Sequence, residues 1–335
     1  MQPEIPEQSG NPEMRVSRST RVPGALAGER LDRVAALLFD EFSRVLLGRW
    51  ISAGALTCDG RQLRPRDRVR GGEELRLEAL LLAREDWRTA QPVDFRVLHE
   101  DADLLVIDKP AGVVVHPGAG NPDRTLVNGL LLHRPGLARL PRAGIIHRLD
   151  KDTSGLLLVA ATVEARTRLV AMLAARRISR RYLAVVEGRF GSTRVIDVPI
   201  GRDPLVRTRQ RVRADGRPAI TRVRAVQQFR AHTLIEAELE TGRTHQIRVH
   251  LAHAGHPLVG DTRYGARGSL PTGIDPAAAG TLQAFRRQAL HAWRLAVEHP
   301  RTGEALQWEA HLPIDMVGLI DALAADAGSA PARPT

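Results

Sequence analysis

The chain has 335 residues, 43% of them hydrophobic, and 49 Lys plus Arg against 38 Asp plus Glu give a formal net charge of +11. That length and apolar fraction exclude a disordered tail protein and predict two or three domains, at roughly 100–200 residues each. The lone cysteine, Cys58, excludes an intramolecular disulfide, and no apolar run approaches the roughly 18 residues of a membrane span.

Of the 49 basic residues 47 are arginine, and the two lysines are Lys109 and Lys151. Guanidinium forks match phosphate oxygens and stack on bases, so the excess points to a polyanionic partner, although a general drift toward arginine produces the same count. Such a drift spares lysine where a compact ammonium is needed, which singles out those two positions.

Residues 1–20 are polar and rich in Pro and Gly, lack the apolar core of a signal peptide, and read as a mobile tail. From Arg30 the pattern is helical, with Leu31, Val34, Ala35 and Leu38 on one face. Ser43 is placed to cap a second short helix carrying Leu46, Leu47, Trp50 and Ile51, which Gly54 ends. Strand-like ALTCDGRQL, with an Asp59-Gly60 turn, and ELRLEALLL follow. Residues 21–82 thus form a small domain, and 83–95, which lose periodicity, form a linker.

A second domain is expected over 96–326, with 327–335 as a tail. Its segments DLLVID, GVVVH, AGIIHRL, GLLLVAA, RYLAVVEG, AITRVRAVQQF, HTLIEAELE and LHAWRLAVEH are short and strand-like, with helices at TLVNGLLLH and ARTRLVAMLAAR. Many strands joined by short turns predict an α+β fold on a largely antiparallel sheet. Charge is concentrated between Arg176 and Arg224, where fourteen arginines face four acids. There RTRQRVRADGR, with Arg207, Arg209, Arg211 and Arg213, is suited to follow a phosphate backbone, the alternative being a solvated face.

The densest reactive cluster is IIHRLDKDTSGLLLVA, in which one apolar strand enters a polar loop, His147 to Gly155, and another leaves it. Such a frame holds a reactive side chain rigidly. The loop offers two carboxylates, Asp150 and Asp152, with a plain turn residue as the competing reading; Asp152-Thr153-Ser154-Gly155 has the chemistry of a turn, which gives Asp152 a structural part. His245, His250, His253 and His256 lack the cysteines or HExxH spacing of a zinc site and read as a helix face at the domain surface. No GxSxG elbow, Walker loop or GxGxxG fingerprint occurs.

HRLDKDTSG, with DLLVIDKPAGVVVHPG upstream and ETGRTHQIRVHLAHAGHPLVGDTRYG downstream, resembles the ribosomal large subunit class of pseudouridine synthases over about residues 97–315. RLDRV, SRVLLGRWISAGAL and VRGGEELRL resemble the S4 RNA-binding module, in which Arg44 and Arg49 are then expected RNA contacts. The resemblance implies a pseudouridine synthase fold in the second domain and isomerisation of uridines in 23S rRNA, at the helix 69 stem-loop, on naked rRNA or an assembling large subunit. It implies a cytoplasmic monomer without metal or cofactor, since the reaction breaks N1–C1′, turns the base over and forms C5–C1′ with no redox change. Other expectations from the same likeness are another rRNA or tRNA site, or a non-catalytic RNA-binding assembly factor.

By the same resemblance Asp150 is the catalytic aspartate, acting on C1′ as a nucleophile or on the 2′ proton as a base, and Arg248 of HQIRVH pairs with it. Arg148 would help displace the flipped nucleotide, and Tyr182 of SRRYLAVVEG would stack on the uracil and serve the late proton removal from C5. Lys109 and Lys151 are expected to touch RNA phosphate or to anchor loops. Two residues depart from the family's pattern: Arg124 replaces a usual glycine, and Arg181 a common lysine.

Overall fold

The computed structural model describes residues 14–81, 89–118, 121–191, 193–206, 208–265 and 270–332. The chain divides into two compact units, Met1–Asp86 and Trp87–Thr335.

In the first unit, helices α1 (Leu31–Leu38) and α2 (Arg44–Ser52) pack on a three-stranded antiparallel sheet of order β1-β3-β2, formed by β1 (Met14–Arg21), β2 (Leu56–Cys58) and β3 (Glu74–Leu81). The Ser43 hydroxyl accepts from the Leu46 amide at 3.2 Å, which caps α2. Leu31, Val34, Leu47 and Ile51 meet Leu75 and Leu77 in the core. The expected tail is overturned for residues 14–20, which belong to a strand paired along its length with β3 from Met14↔Leu81 to Arg21↔Glu74. Val16 is the one buried side chain among those described in β1, so the backbone ladder holds the strand and composition conceals it.

In the second unit, β4 (Arg96–Glu100), β5 (Leu104–Lys109), β6 (Ser154–Ala160), β7 (Ser179–Glu187), β8 (Arg194–Asp197), β11 (Ile220–Gln228), β12 (His232–Leu239), β13 (Leu290–Glu298) and β14 (Ala305–Glu309) build one nine-stranded sheet. Its order is β4-β5-β6-β13-β7-β12-β11-β8, with β14 beside β13, and among the described residues β6–β13 is its one parallel pair. A separate antiparallel ribbon joins β9 (Ile200–Arg202) to β10 (Gln210–Val212).

Successive strand residues face opposite sides, and both faces are covered. On one, Leu157, Tyr182 and Ala184 pack with α3 (Leu126–His133) and α5 (Gln246–His253). On the other, α4 (Val163–Ala174) covers Leu156 and Leu158, and α7 (Ile314–Asp326) covers Leu183 and Val185; α6 (Pro276–Ala284) precedes it in the chain.

Two expected strands are absent. Residues 112–116 are irregular, and 143–149 make only a single bridge, Ile145↔Val159. Val115 and Ile145 are buried there, and an apolar run alone cannot separate a strand from a buried loop. Part of the expected linker is docked: the Asn128 amide donates to the Thr89 carbonyl, and Gln91 N–H donates to the Asn128 carbonyl. At the other end Gln227 holds the backbone of Ala330 and Ala332, so that stretch is not a free tail. Among the described residues, no helix is long and apolar enough to cross a membrane.

Candidate active site

Asp150 stands in the loop that leads into β6, and both ends of the loop are braced from the core. Before it, His147 Nε2 accepts the Leu158 amide at 3.0 Å. After it, Gln288 donates to the Thr153 hydroxyl at 3.0 Å, Arg287 donates to the Asp152 carbonyl at 3.2 Å, and Ser154 Oγ lies 2.9 Å from His291 Nδ1. Gly155 has φ 108°, and a Cβ there would sit 2.2 Å from the Ala292 carbonyl oxygen, so glycine lets β6 and β13 come together below the site.

Lys109 is corrected as an RNA contact. Its side chain is fully buried, and Nζ donates to the carbonyls of Pro110 (2.8 Å), Val113 (2.9 Å) and Lys151 (3.0 Å). These bonds use all three N–H groups of the ammonium and tie the 110–113 turn to the Asp150 loop, which is the loop-anchoring alternative. Burial pushes its pKa down to about 7, against the pull of Asp152 and Asp150.

Arg248 enters from α5, 6% exposed. Its Nη1 donates to Asp150 Oδ2 at 2.9 Å, while Nε and Nη2 fork onto Asp261 at 2.7 and 2.9 Å. Burial works against the Arg248 charge, but the carboxylates of Asp261 and Asp150 outweigh it and raise its pKa. Burial likewise acts to raise Asp261, and the Arg248 bonds with the amides of Arg263 and Tyr264 win, holding that carboxyl below the usual range.

Tyr182, on β7, lines the same cleft with Asp150, Arg148, Arg243, His245 and Arg248. It is 4% exposed, and burial raises its phenol pKa. Arg148 and Lys151 are both exposed, Arg148 at the cleft.

The histidines do not form one surface face. His250 is buried, bonded to the Thr221 hydroxyl and near the Val198 carbonyl, and His256 meets the Glu187 carbonyl. His245 stands at the N-cap position of α5 with φ 57° and directs Nε2 toward Asp150 Oδ1, 3.9 Å away. Its Nδ1 lies 2.7 Å from the Tyr264 hydroxyl, which also accepts from the Gln210 amide. Asp101, Asp103 and His299 come together elsewhere, but His299 Nδ1 accepts two backbone amides and Nε2 is left to face Asp101, so its lone pair is already committed.

The basic ribbon is uneven. Arg209 and Arg211 are exposed, Arg213 is forked onto Asp215 at 2.7 and 2.6 Å, and Arg207 lies outside the described residues. In the first unit, Arg44 is exposed but paired with Asp32 at 2.8 Å, and Arg49 is exposed on α2.

Asp261, Tyr264 and Gln210 carry no role among the expectations from sequence. Asp261 and Tyr264 stand in GDTRYG, inside the downstream block that carries the resemblance, and that position is the signal the sequence holds for them.

Residues 103–253 match the RNA pseudouridylate synthase family. Over 311 residues the chain is 50% identical to ribosomal large subunit pseudouridine synthase D of Pseudomonas aeruginosa, covering 93% of this chain and 97% of that one. It is 49% identical to the protein of the same name from Xanthomonas campestris, over 97% and 98% of the two chains. Among solved structures it is similar to human RNA pseudouridylate synthase domain containing 4, with TM-score 0.53 and 25% identity over 68% of this chain and 92% of that one. Human RNA pseudouridylate synthase domain containing 1 gives TM-score 0.52 and 26% identity over 67% and 86%.

Proposed function

As a member of the RNA pseudouridylate synthase family this chain is an RNA pseudouridine synthase, and we propose that it isomerises uridines of large-subunit rRNA, those of the helix 69 stem-loop, with Asp150 as the catalytic carboxylate. The observation that carries the reading is the ion pair of Asp150 with Arg248 in a cleft that Tyr182 also lines. The relatives' names speak for the large-subunit substrate.

A uridine in a stem must leave its stack to bring C1′ to that carboxylate, which costs a few kcal/mol. Arg148, exposed at the cleft, is assigned to displacing the flipped nucleotide, and Tyr182 to the face of the turned base. Asp150 acts on C1′ or on the 2′ proton, and Tyr182 serves the proton leaving C5. The isomerisation is redox-neutral and needs only such groups, so no cofactor is assigned. Arg209 and Arg211 on the ribbon, Lys151 within the Asp150 loop, and Arg44 and Arg49 in an S4-like first unit are assigned to the RNA backbone. The proposed working form is a cytoplasmic monomer acting on naked rRNA or an assembling large subunit.

Tritium release from 5-tritiated large-subunit rRNA tests the reading. The unaltered protein is expected to release tritium and Asp150→Asn to release none; equal release by both sinks the assignment.

A further inference from the structure

Arg180 carries a charge that the protein does not answer. It is 6% exposed on β7, two residues before Tyr182 and therefore on the same face of the sheet. Among the described residues its one hydrogen bond runs from Nη2 to the Leu239 carbonyl, at 3.3 Å, and its Nε is buried without a partner. Arg248, equally buried, has two carboxylates. A buried cation without a counter-anion is costly, and burial accordingly pulls Arg180 below the usual arginine pKa.

Arg180 stands behind the cleft lining and adjoins it through Leu239. Leu239, which receives its one bond, lines the cleft with Tyr182 and Arg243. A Cβ at Gly242 would lie 3.0 Å from Nη1, so glycine keeps that side of the guanidinium clear. The Arg180 charge also reaches His147, at the start of the Asp150 loop.

We propose that Arg180 is the receptor for a backbone phosphate of the bound RNA strand beside the uridine in the cleft, so that the substrate brings the anion the protein lacks. The proposal rests on the pseudouridine synthase reading. A full anion matches the charge that Arg180 leaves unanswered, met at Nη1 on the Gly242 side by a charge-assisted hydrogen bond. A uracil carbonyl would supply acceptors but no charge.

The test combines Arg180→Met with a helix 69 stem-loop RNA in which single linkages are replaced in turn by uncharged methylphosphonate. Tritium release gives KM and kcat, and thermal unfolding is followed alongside. The variant is expected to unfold no lower than the unaltered protein, since it removes an uncompensated charge. Its KM should rise about tenfold with kcat changed less than about threefold. One methylphosphonate position should raise the KM of the unaltered protein by about the same factor and leave the variant unchanged, the signature of two partners in one contact. Penalties that multiply at every linkage, a fall in kcat at constant KM, or a lowered Tm overturn the proposal. If the unaltered protein releases no tritium from unmodified RNA, the rRNA reading falls and this proposal with it; release with multiplying penalties overturns this proposal alone.

Discussion

Arg248 grips Asp261 through Nε and Nη2, at 2.7 and 2.9 Å, and that two-point fork aims the remaining Nη1 at Asp150. Asp261 is itself held by the amides of Arg263 and Tyr264, and its side chain is fully buried. The position of the Asp150 carboxylate is therefore set by a chain of contacts that starts at a turn beyond α5, outside the loop that carries Asp150.

Asp261→Asn keeps the shape and removes one of the two acceptors in the fork. Arg248 then has no fixed second partner, and Nη1 loses its aim at Asp150. The expected result is a fall in kcat of about 10- to 100-fold with KM changed by less than about threefold, because RNA contacts are untouched. Steady-state tritium release decides it; a change confined to KM would place Asp261 in substrate binding instead.

Lys109→Arg tests the cradle under the Asp150 loop. The three carbonyls of Pro110, Val113 and Lys151 surround one ammonium with no exposed surface, and a planar guanidinium is too large for that space. Overpacking of this kind costs roughly 1–3 kcal/mol, and urea unfolding should show it as a lower midpoint at unchanged slope. An unaltered midpoint would show that the cradle accepts any cation.

That cradle also marks how far the sequence could be read. Two lysines among 47 arginines drew attention to the right motifs, but for Lys109 the cause is burial, which no count reveals. Asp150, Arg248 and Tyr182 were legible because each stands in a dense motif, and the cleft does bring the three together. Asp261 was not, because its role exists only once α5 has folded Arg248 into the core. The ribbon arginines looked alike in sequence, whereas Asp215 occupies Arg213 and not its neighbours. Arg124, at a position where glycine is usual, adopts φ 50°, a backbone conformation that explains the glycine. Strand β1, with its single buried valine, gave almost no hydrophobic signal.

The ribbon gives an unequal prediction. Arg209→Gln and Arg211→Gln, both removing exposed charge, are each expected to weaken RNA binding and reduce the log–log salt slope by up to about 0.7–0.9 for each phosphate left without its arginine. Arg213→Gln should change the slope less, because its guanidinium is already spent on Asp215. Binding titrations of a stem-loop RNA over a range of salt concentrations test this; equal slopes for all three variants and the unaltered chain would make the ribbon a solvated face.

The histidines that brace the Asp150 loop set an acid limit. Burial lowers the pKa of His147 to about 3 and of His291 to about 4, from 6.5. Below pH 6.5 the unfolded chain takes up a proton at each site that the folded chain refuses. Stability is thus full above that pH and falls as the pH drops toward 4, by about 1.4 kcal/mol per pH unit for each histidine. Most carboxylates titrate lower, so this window belongs largely to histidine. Protonation at His147 Nε2 would also eliminate the acceptor for the Leu158 amide, releasing the entry to the loop. His147→Gln offers an amide oxygen in its place and cannot titrate. Urea unfolding between pH 4 and pH 7.5 should therefore give a shallower decline for His147→Gln than for the unaltered protein, by about that one-proton slope. Parallel declines would mean that His147 is charged in the folded state and that the Leu158 contact is not what holds the loop.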